Sequence, residues 1–267
     1  MLSVAGDKQA CYMKISIAIP TRERLVPLRA LIETLIDTAN EQLEVLVLHD
    51  APEDRSAVRW ASKCKRLFNL EFPIKQSMTA LWNKGLLYSS GDWVLVCNDD
   101  VLLKDGWRKY LEEIADEKRH KQIILCAYSA FCIHKSVIPL LGWFDERFTG
   151  GYYEDVDWQM RLGESGFEEL VDFSHDSVFV EHRKAVSPRT PEWPWQENAR
   201  WFCEKWGRRD YTDWTAPSFR KAPEIDWYPG YTKKYCQQFG VNSRIDEINS
   251  NVGCGRPVFA TTDRVHR

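Results

Sequence analysis

The chain has 267 residues, of which 28% are charged and 44% hydrophobic, and a formal net charge of -3. This balance describes a soluble globular protein with one large core, or a core of moderate size with an appendage; it excludes a disordered chain and a surface built throughout to bind nucleic acid. Its apolar runs, such as 94–97, fall far short of the roughly 18 residues that a membrane-spanning helix needs. Asp7, Lys8 and Gln9 interrupt the N-terminal stretch where a signal peptide requires apolar residues, so a cytoplasmic location is expected. The eight cysteines form no CxxC pair, and Cys97 and Cys126 sit in apolar runs, which points to free structural thiols.

Taken in order, residues 14–20 read as a first strand, closed by the loop Pro20-Thr21-Arg22-Glu23-Arg24. Apolar residues at 25, 28, 31, 32, 35 and 36 then predict a helix. A second strand over 44–50 ends in Asp50, and this strand-helix-strand order predicts a right-handed parallel crossover. Residues 58–68 read as helix and 72–74 as a short third strand. A helix over 80–87 follows, with Asn83 and Lys84 near its start, where amides and the helix dipole favour a phosphate; Asn83 reads equally as a local cap.

The next strand, Trp93-Val94-Leu95-Val96-Cys97, stops abruptly at Asn98-Asp99-Asp100. Such a valine-rich run is expected to be buried on both faces of a parallel sheet, and ligands of open α/β sheets gather at the carboxyl ends of strands. Alone, the motif reads equally as a polar turn or a cation site. A helix over 109–116 and a strand over 123–133 precede Thr149-Gly150-Gly151-Tyr152-Tyr153-Glu154-Asp155-Val156-Asp157-Trp158, whose carboxylates open a helix over 157–164. Those carboxylates favour the helix dipole whether or not they have a further role. The final strand, 177–182, ends in His182.

Beyond His182 the composition changes. The chain carries 21 Lys and Arg against 29 Asp and Glu up to His182, and 15 against 10 from Arg183 onward. Six of the 12 tryptophans fall between Trp193 and Trp227, and Pro188, Pro191 and Pro194 punctuate a linker-like stretch. Trp201, Phe202 and Trp206 have helical spacing suited to packing on the core. The expected organisation is therefore a catalytic domain over 12–187 and an aromatic-rich extension over 188–267, which would pack on the core, meet an acceptor, or join a second copy in a homo-oligomer.

Together the strand ends offer Thr21, Asp50, Asn98, Asp99, Asp100 and His182, with Glu154 and Asp155 in a glycine-rich loop. Two carboxylates and an imidazole can hold a divalent cation with positions left for diphosphate oxygens, while a separate carboxylate can accept a proton from an attacking hydroxyl. That division of labour suits a transferase of nucleotide-activated groups. Nucleotidyl transfer would use the same metal and nucleotide, but Thr21-Arg22-Glu23-Arg24 is short and lacks the glycines of a phosphate-binding loop. A non-catalytic carbohydrate-binding protein on the same scaffold would be expected to lose Asp100, Asp155 or His182, and all three are present.

In these motifs the sequence resembles the GT-A glycosyltransferases of the inverting family 2, over 14–183. The resemblance rests on the first strand with Pro20-Thr21-Arg22, on Asp50, on the DXD-like Asn98-Asp99-Asp100, on Gly142-Trp143-Phe144-Asp145-Glu146-Arg147-Phe148, on Glu154-Asp155-Val156-Asp157 and on Val180-Glu181-His182. It implies a Rossmann-like, mostly parallel sheet flanked by helices, and an enzyme moving sugar from a UDP-, GDP- or dTDP-linked donor to a hydroxyl of a glycan, lipid-linked sugar or modified nucleic-acid base. By the same resemblance Pro20, Thr21, Arg22, Asp50, Asn83, Asn98 and Asp99 contact the donor. Asp100 and His182 hold Mn2+ or Mg2+, Asp155 is the general base, Glu154 holds the acceptor, and Tyr153 and Trp158 lie on the acceptor side. The sequence departs from the family at Asn98, which replaces the first carboxylate of the DXD motif, and at Trp82, where many relatives carry arginine.

Overall fold

The computed structural model describes residues 13–38, 43–115, 120–165, 168–171, 179–183 and 195–206. A seven-stranded sheet is built from β1 (Ile15–Thr21), β2 (Glu44–Asp50), β3 (Leu67–Phe72), β4 (Trp93–Cys97), β6 (His120–Cys126), β7 (Ala130–His134) and β8 (Glu168–Val171), in the order β3-β2-β1-β4-β7-β6-β8. Six strands run parallel and β7 is reversed, pairing antiparallel with both β4 and β6. The crossovers are α1 (Leu25–Thr38), α2 (Ser56–Ala61) and α3 (Met78–Tyr88). The sheet order reverses direction at β1, so the carboxyl ends of β1 and β4 are the place where an open α/β sheet receives its ligand.

Both faces of the sheet are covered, which is why its strands read as unbroken apolar runs. Alternate residues divide between two cores. Ile15, Ile17, Ile19, Val45, Val47, Trp93 and Leu95 pack with Leu28, Leu31, Ile32 and Leu35 of α1. Ala18, Leu46, Leu48, Val94 and Val96 pack with Leu81, Trp82 and Leu86 of α3, and with Phe144 and Trp158. A Cβ added at Gly85 would lie 2.6 Å from the Ala18 Cβ, so only glycine lets α3 lie this close to β1.

Two elements differ from expectation, and the helix expected over 157–164 begins three residues earlier, at Glu154. The helix expected over 58–68 ends at Ala61, and Leu67–Phe72 is β3, so 72–74 is not a strand of its own. Parallel pairing of Leu67 with Val45 and of Leu70 with Leu48 overrides the helical spacing of the apolar residues. The strand expected over 123–133 is a hairpin, β6 and β7, turning through Ala127 at φ 43° without glycine or proline to mark it. The remaining strands, β5 (Val101–Leu103) and β9 (Val180–His182), form a small antiparallel sheet at the carboxyl end of β4. Residues 177–178, expected as the start of that last strand, lie outside the described residues. The other helices are α4 (Trp107–Ile114), the short α5 (Ile138–Leu141), α6 (Glu154–Glu164) and α7 (Trp195–Trp206).

Within 188–267 the described part is α7, and it packs as the spacing of its aromatics predicts: Phe202 and Trp206 are buried with Phe148 and Met160. An ion-pair network fastens the same helix. Asp157, fully buried, accepts from Arg161 (2.8 Å) and from Trp206 Nε1 (3.0 Å) and pairs with Lys205, whose Nζ also meets Asp145 at 3.3 Å. Burial would raise the Asp157 carboxyl, but Arg161 and Lys205 outweigh it and hold the group below the ordinary carboxylate range. No helix among the described residues is long and apolar enough to cross a membrane. Cys64, Cys97, Cys126 and Cys132 are free thiols, as expected.

Candidate active site

The end of β1 meets the end of β4. The Thr21 hydroxyl donates to Asp99 Oδ2 at 2.7 Å, and Arg24, just ahead of α1, reaches Asp99 Oδ1 at 3.1 Å and Asp100 Oδ2 at 3.3 Å. Asp99 is 3% exposed, and burial pushes its carboxyl up to about 6 against the opposing pull of Arg24 and Thr21. Pro20 is buried in β1 beside Leu48, whereas Arg22 is exposed past the strand end. Asn98 takes the turn after β4: its N–H donates to Ser129 O (2.8 Å) and its carbonyl accepts from Val101 (3.2 Å). Its side-chain Oδ1 is buried and accepts no hydrogen bond among the described residues.

At the end of β2, Asp50 accepts from the Gln76 backbone at 2.7 Å, and burial raises its carboxyl. Gln76 Oε1 in turn accepts from the buried Lys84 Nζ at 2.6 Å. The small sheet brings in the imidazole: β9 pairs His182 with Val101, and Arg183 N–H donates to Asp100 O at 2.9 Å. His182 Nε2 thereby stands 3.5 Å from Asp100 Oδ1. Strand pairing, not sequence proximity, creates this pair.

Among the described residues no three His, Cys, Asp or Glu side chains gather closely enough to enclose a metal ion by themselves. Asp100 and His182 do provide one hard oxygen and one imidazole nitrogen facing each other. A donor pair of this kind suits Mg2+ or Mn2+, which keep coordination positions for substrate phosphates and water.

The second carboxylate group stands at the N-terminus of α6. The loop leading to it is tied to the carboxyl edge by Thr79, in the first turn of α3, which donates to Phe148 O at 3.1 Å. Four successive residues then adopt left-handed backbone: Gly150 (φ 76°), Gly151 (117°), Tyr152 (72°) and Tyr153 (73°). For the two tyrosines this conformation costs roughly 1–2 kcal/mol each. It sets the entry angle of α6, whose first two residues are Glu154 and Asp155.

Glu154 is 7% exposed, and burial, reinforced by the neighbouring Asp155 charge, pushes its carboxyl up to about 7. Its Oε2 is buried with no hydrogen-bond partner among the described residues. Asp155 is also raised by burial, although its Oδ1 accepts from the Val156 N–H at 2.8 Å. A carboxyl raised by folding favours the native state while protonated, and this contribution is lost as pH rises through the folded value. Glu154→Gln is therefore expected to match the unmodified protein near pH 4 and to exceed it by about 3 kcal/mol at pH 8. Denaturant melts at the two pH values test this; equal stability at pH 8 would remove Glu154 from the strained group.

Two expected contacts are corrected. Asn83 is fully buried and directs its amide at the 144–148 loop: Nδ2 donates to Phe144 O (2.9 Å) and to Glu146 Oε1 (3.3 Å), and Oδ1 accepts from Phe144 N–H (2.9 Å), which staples that loop to α3 instead of facing a donor. Trp158 is fully buried, stacks on Phe144 at 4.2 Å between centroids and donates to Gln122, so it belongs to the core and not to an acceptor surface. Tyr153 is half-buried with its ring 5.3 Å from that of Phe202, while Tyr152 is the exposed member of the pair. Arg24, which bridges Asp99 and Asp100, was not singled out by sequence, although its place in the loop after β1 could have pointed to it.

A sheet of this order, with carboxylates and an imidazole collected at its carboxyl edge, is the GT-A architecture of glycosyltransferases. The chain belongs to glycosyl transferase family 2, whose model matches residues 16–157, just over half of the 267 residues. Comparison with curated proteins finds no match. Among solved structures, the chain is similar to the mannosyltransferase PcManGT from Pyrobaculum calidifontis in complex with GDP-Man and Mn2+. The TM-score is 0.53 at 16% identity, covering 62% of this chain and 56% of that one. It is also similar to TarS of S. aureus in complex with UDP-GlcNAc, with a TM-score of 0.54 at 15% identity, covering 72% of this chain and 66% of that one. At these identities the likeness is one of fold, and the chain spans less than two thirds of either neighbour's length.

Proposed function

We propose that the chain is an inverting glycosyltransferase that moves a sugar from a nucleoside-diphosphate donor to a hydroxyl acceptor. The observation that carries this reading is the pair of carboxyls that open α6, Glu154 buried and Asp155 half-buried, both raised by desolvation, on the same fold whose β4 end presents Asp99 and Asp100 with His182 of β9 beside Asp100. Pro20, Thr21, Arg22 and Asp50 line the nucleoside side of the edge, and Asp99, fixed by Thr21 and Arg24, stands where donor ribose or sugar would lie. Asp100 and His182 would hold Mn2+ or Mg2+, which when bound neutralises charge on the leaving diphosphate. The structural neighbours that carry GDP-Man with Mn2+ and UDP-GlcNAc support a donor of this class.

In the reaction, Asp155 takes the proton of the acceptor hydroxyl as its oxygen attacks the anomeric carbon, and the bond to the diphosphate oxygen breaks on the opposite face. Burial raises the basicity of Asp155 towards the range useful at neutral pH, and Glu154 orients the acceptor. The test is release of nucleoside diphosphate from a panel of UDP-, GDP- and dTDP-sugars with Mn2+ or Mg2+. Metal-dependent release from one of them, accelerated by an acceptor, is the expected result; no release from any donor with either metal overturns the reading.

A further inference from the structure

The segment that follows the family-matched residues grips the loop that delivers the two carboxylates. Asn198 lies on α7, outside residues 16–157, and is 2% exposed. Its Nδ2 stands 3.0 Å from Thr149 O, 2.8 Å from Gly151 O and 3.2 Å from Tyr152 O, and its Oδ1 accepts from Thr149 N–H at 3.3 Å. An amide has two N–H hydrogens, so three carbonyls within reach share them, and one side chain gathers the backbone of a whole turn. This is the turn whose four successive residues are left-handed, two of them tyrosines. Strained backbone of this kind persists where its surroundings over-determine it.

Other contacts of α7 fall on either side of the carboxylates. The Phe202 ring packs on Tyr153, and Lys205 and Trp206 hold Asp157. Glu154 and Asp155 therefore lie between two anchored points, a clamped turn before them and a buried ion pair after them. We infer that Asn198 is a positioning residue: by clamping the backbone of 149–152 from α7, it fixes the direction in which Glu154 and Asp155 enter the site, so the segment beyond the family-matched residues completes the active site. The inference rests on the roles proposed for Glu154 and Asp155, and it adds to them a residue that touches neither substrate.

Asn198→Ala removes the clamp, and Asn198→Asp keeps the shape and the acceptor but removes both donor hydrogens. Trp201→Phe serves as control, since it removes the hydrogen bond from α7 to Asp145 without touching the turn or Asp157. Both Asn198 variants are expected to lose protection of amides 149–155 in hydrogen exchange relative to the rest of the chain. They should also lower kcat by about 10- to 100-fold, the penalty of a misplaced reacting group, with donor KM within about twofold of the unmodified value. The control should lower Tm but change kcat by less than about twofold. Unchanged exchange over 149–155, or a kcat loss no larger than that of the control, overturns the clamp. If the unmodified chain turns over no nucleotide sugar, the transferase reading fails, and exchange alone then decides whether Asn198 holds the turn.

Discussion

Asp155→Asn is expected to lower kcat by about 10²- to 10⁴-fold, the range contributed by a positioned general base. Donor KM should stay within about twofold, because the change removes basicity and keeps shape. Asparagine retains an oxygen able to accept from the Val156 N–H, the bond that orients this side chain. The unmodified enzyme supplies a second signature. Its base must be ionised to work, so kcat should rise with pH along an acid limb placed above the ordinary aspartate range by burial. Because burial and the Asp155 charge push the Glu154 carboxyl up to about 7, the limb belongs to the pair and should show two macroscopic steps. Asp155→Asn removes that charge, so Glu154 in the variant should titrate lower, though still raised by burial; carboxyl-carbon NMR reads this directly. Undiminished turnover in Asp155→Asn would take the residue out of the base role.

The second large effect concerns Asp100. Asp100→Ala is expected to weaken donor binding by about 10- to 100-fold or more, a loss of the size seen when a metal's ligand environment is disturbed. Chelation of the unmodified protein should bring its donor affinity down to that of the variant. Arg24 contacts both aspartates, so the variant keeps the Arg24–Asp99 pair and should remain folded. Removal of the Asp100 charge also lowers the Asp99 carboxyl, because that charge is one of the causes that raise it. Donor affinity in isothermal titration that ignores both EDTA and Asp100→Ala would contradict the metal assignment, whatever the turnover.

How much of this was legible in the sequence depended on how local each signal was. The strands 14–20, 44–50 and 93–97 announced themselves as apolar runs ending in polar groups, because strands covered on both faces have no polar side to show. The β6–β7 hairpin was missed because Ala127-Tyr128-Ser129 carries no glycine, proline, asparagine or aspartate, and a lone serine marks a turn only weakly. Trp158 was misread because a tryptophan three residues past a candidate base looks the same whether it faces an acceptor or stacks on Phe144. Asn83 was misread for a similar reason: its position near a helix start fits a phosphate contact, and only the folded loop offers it Phe144.

By itself, then, the sequence determined the alternation of strand and helix, the carboxylates at the ends of β2 and β4, and the family signature, since each depends on residues close together in the chain. Tertiary structure alone decided which of those groups meet. The pairing of β9 with β5 brings His182 to Asp100, the approach of β1 to β4 lets Thr21 and Arg24 fix Asp99, and the docking of α7 puts Asn198 on the strained turn before Glu154. Contacts between residues so far apart in the chain leave no periodicity and no motif, because what selects them is the geometry of packed elements rather than any preference of the local backbone.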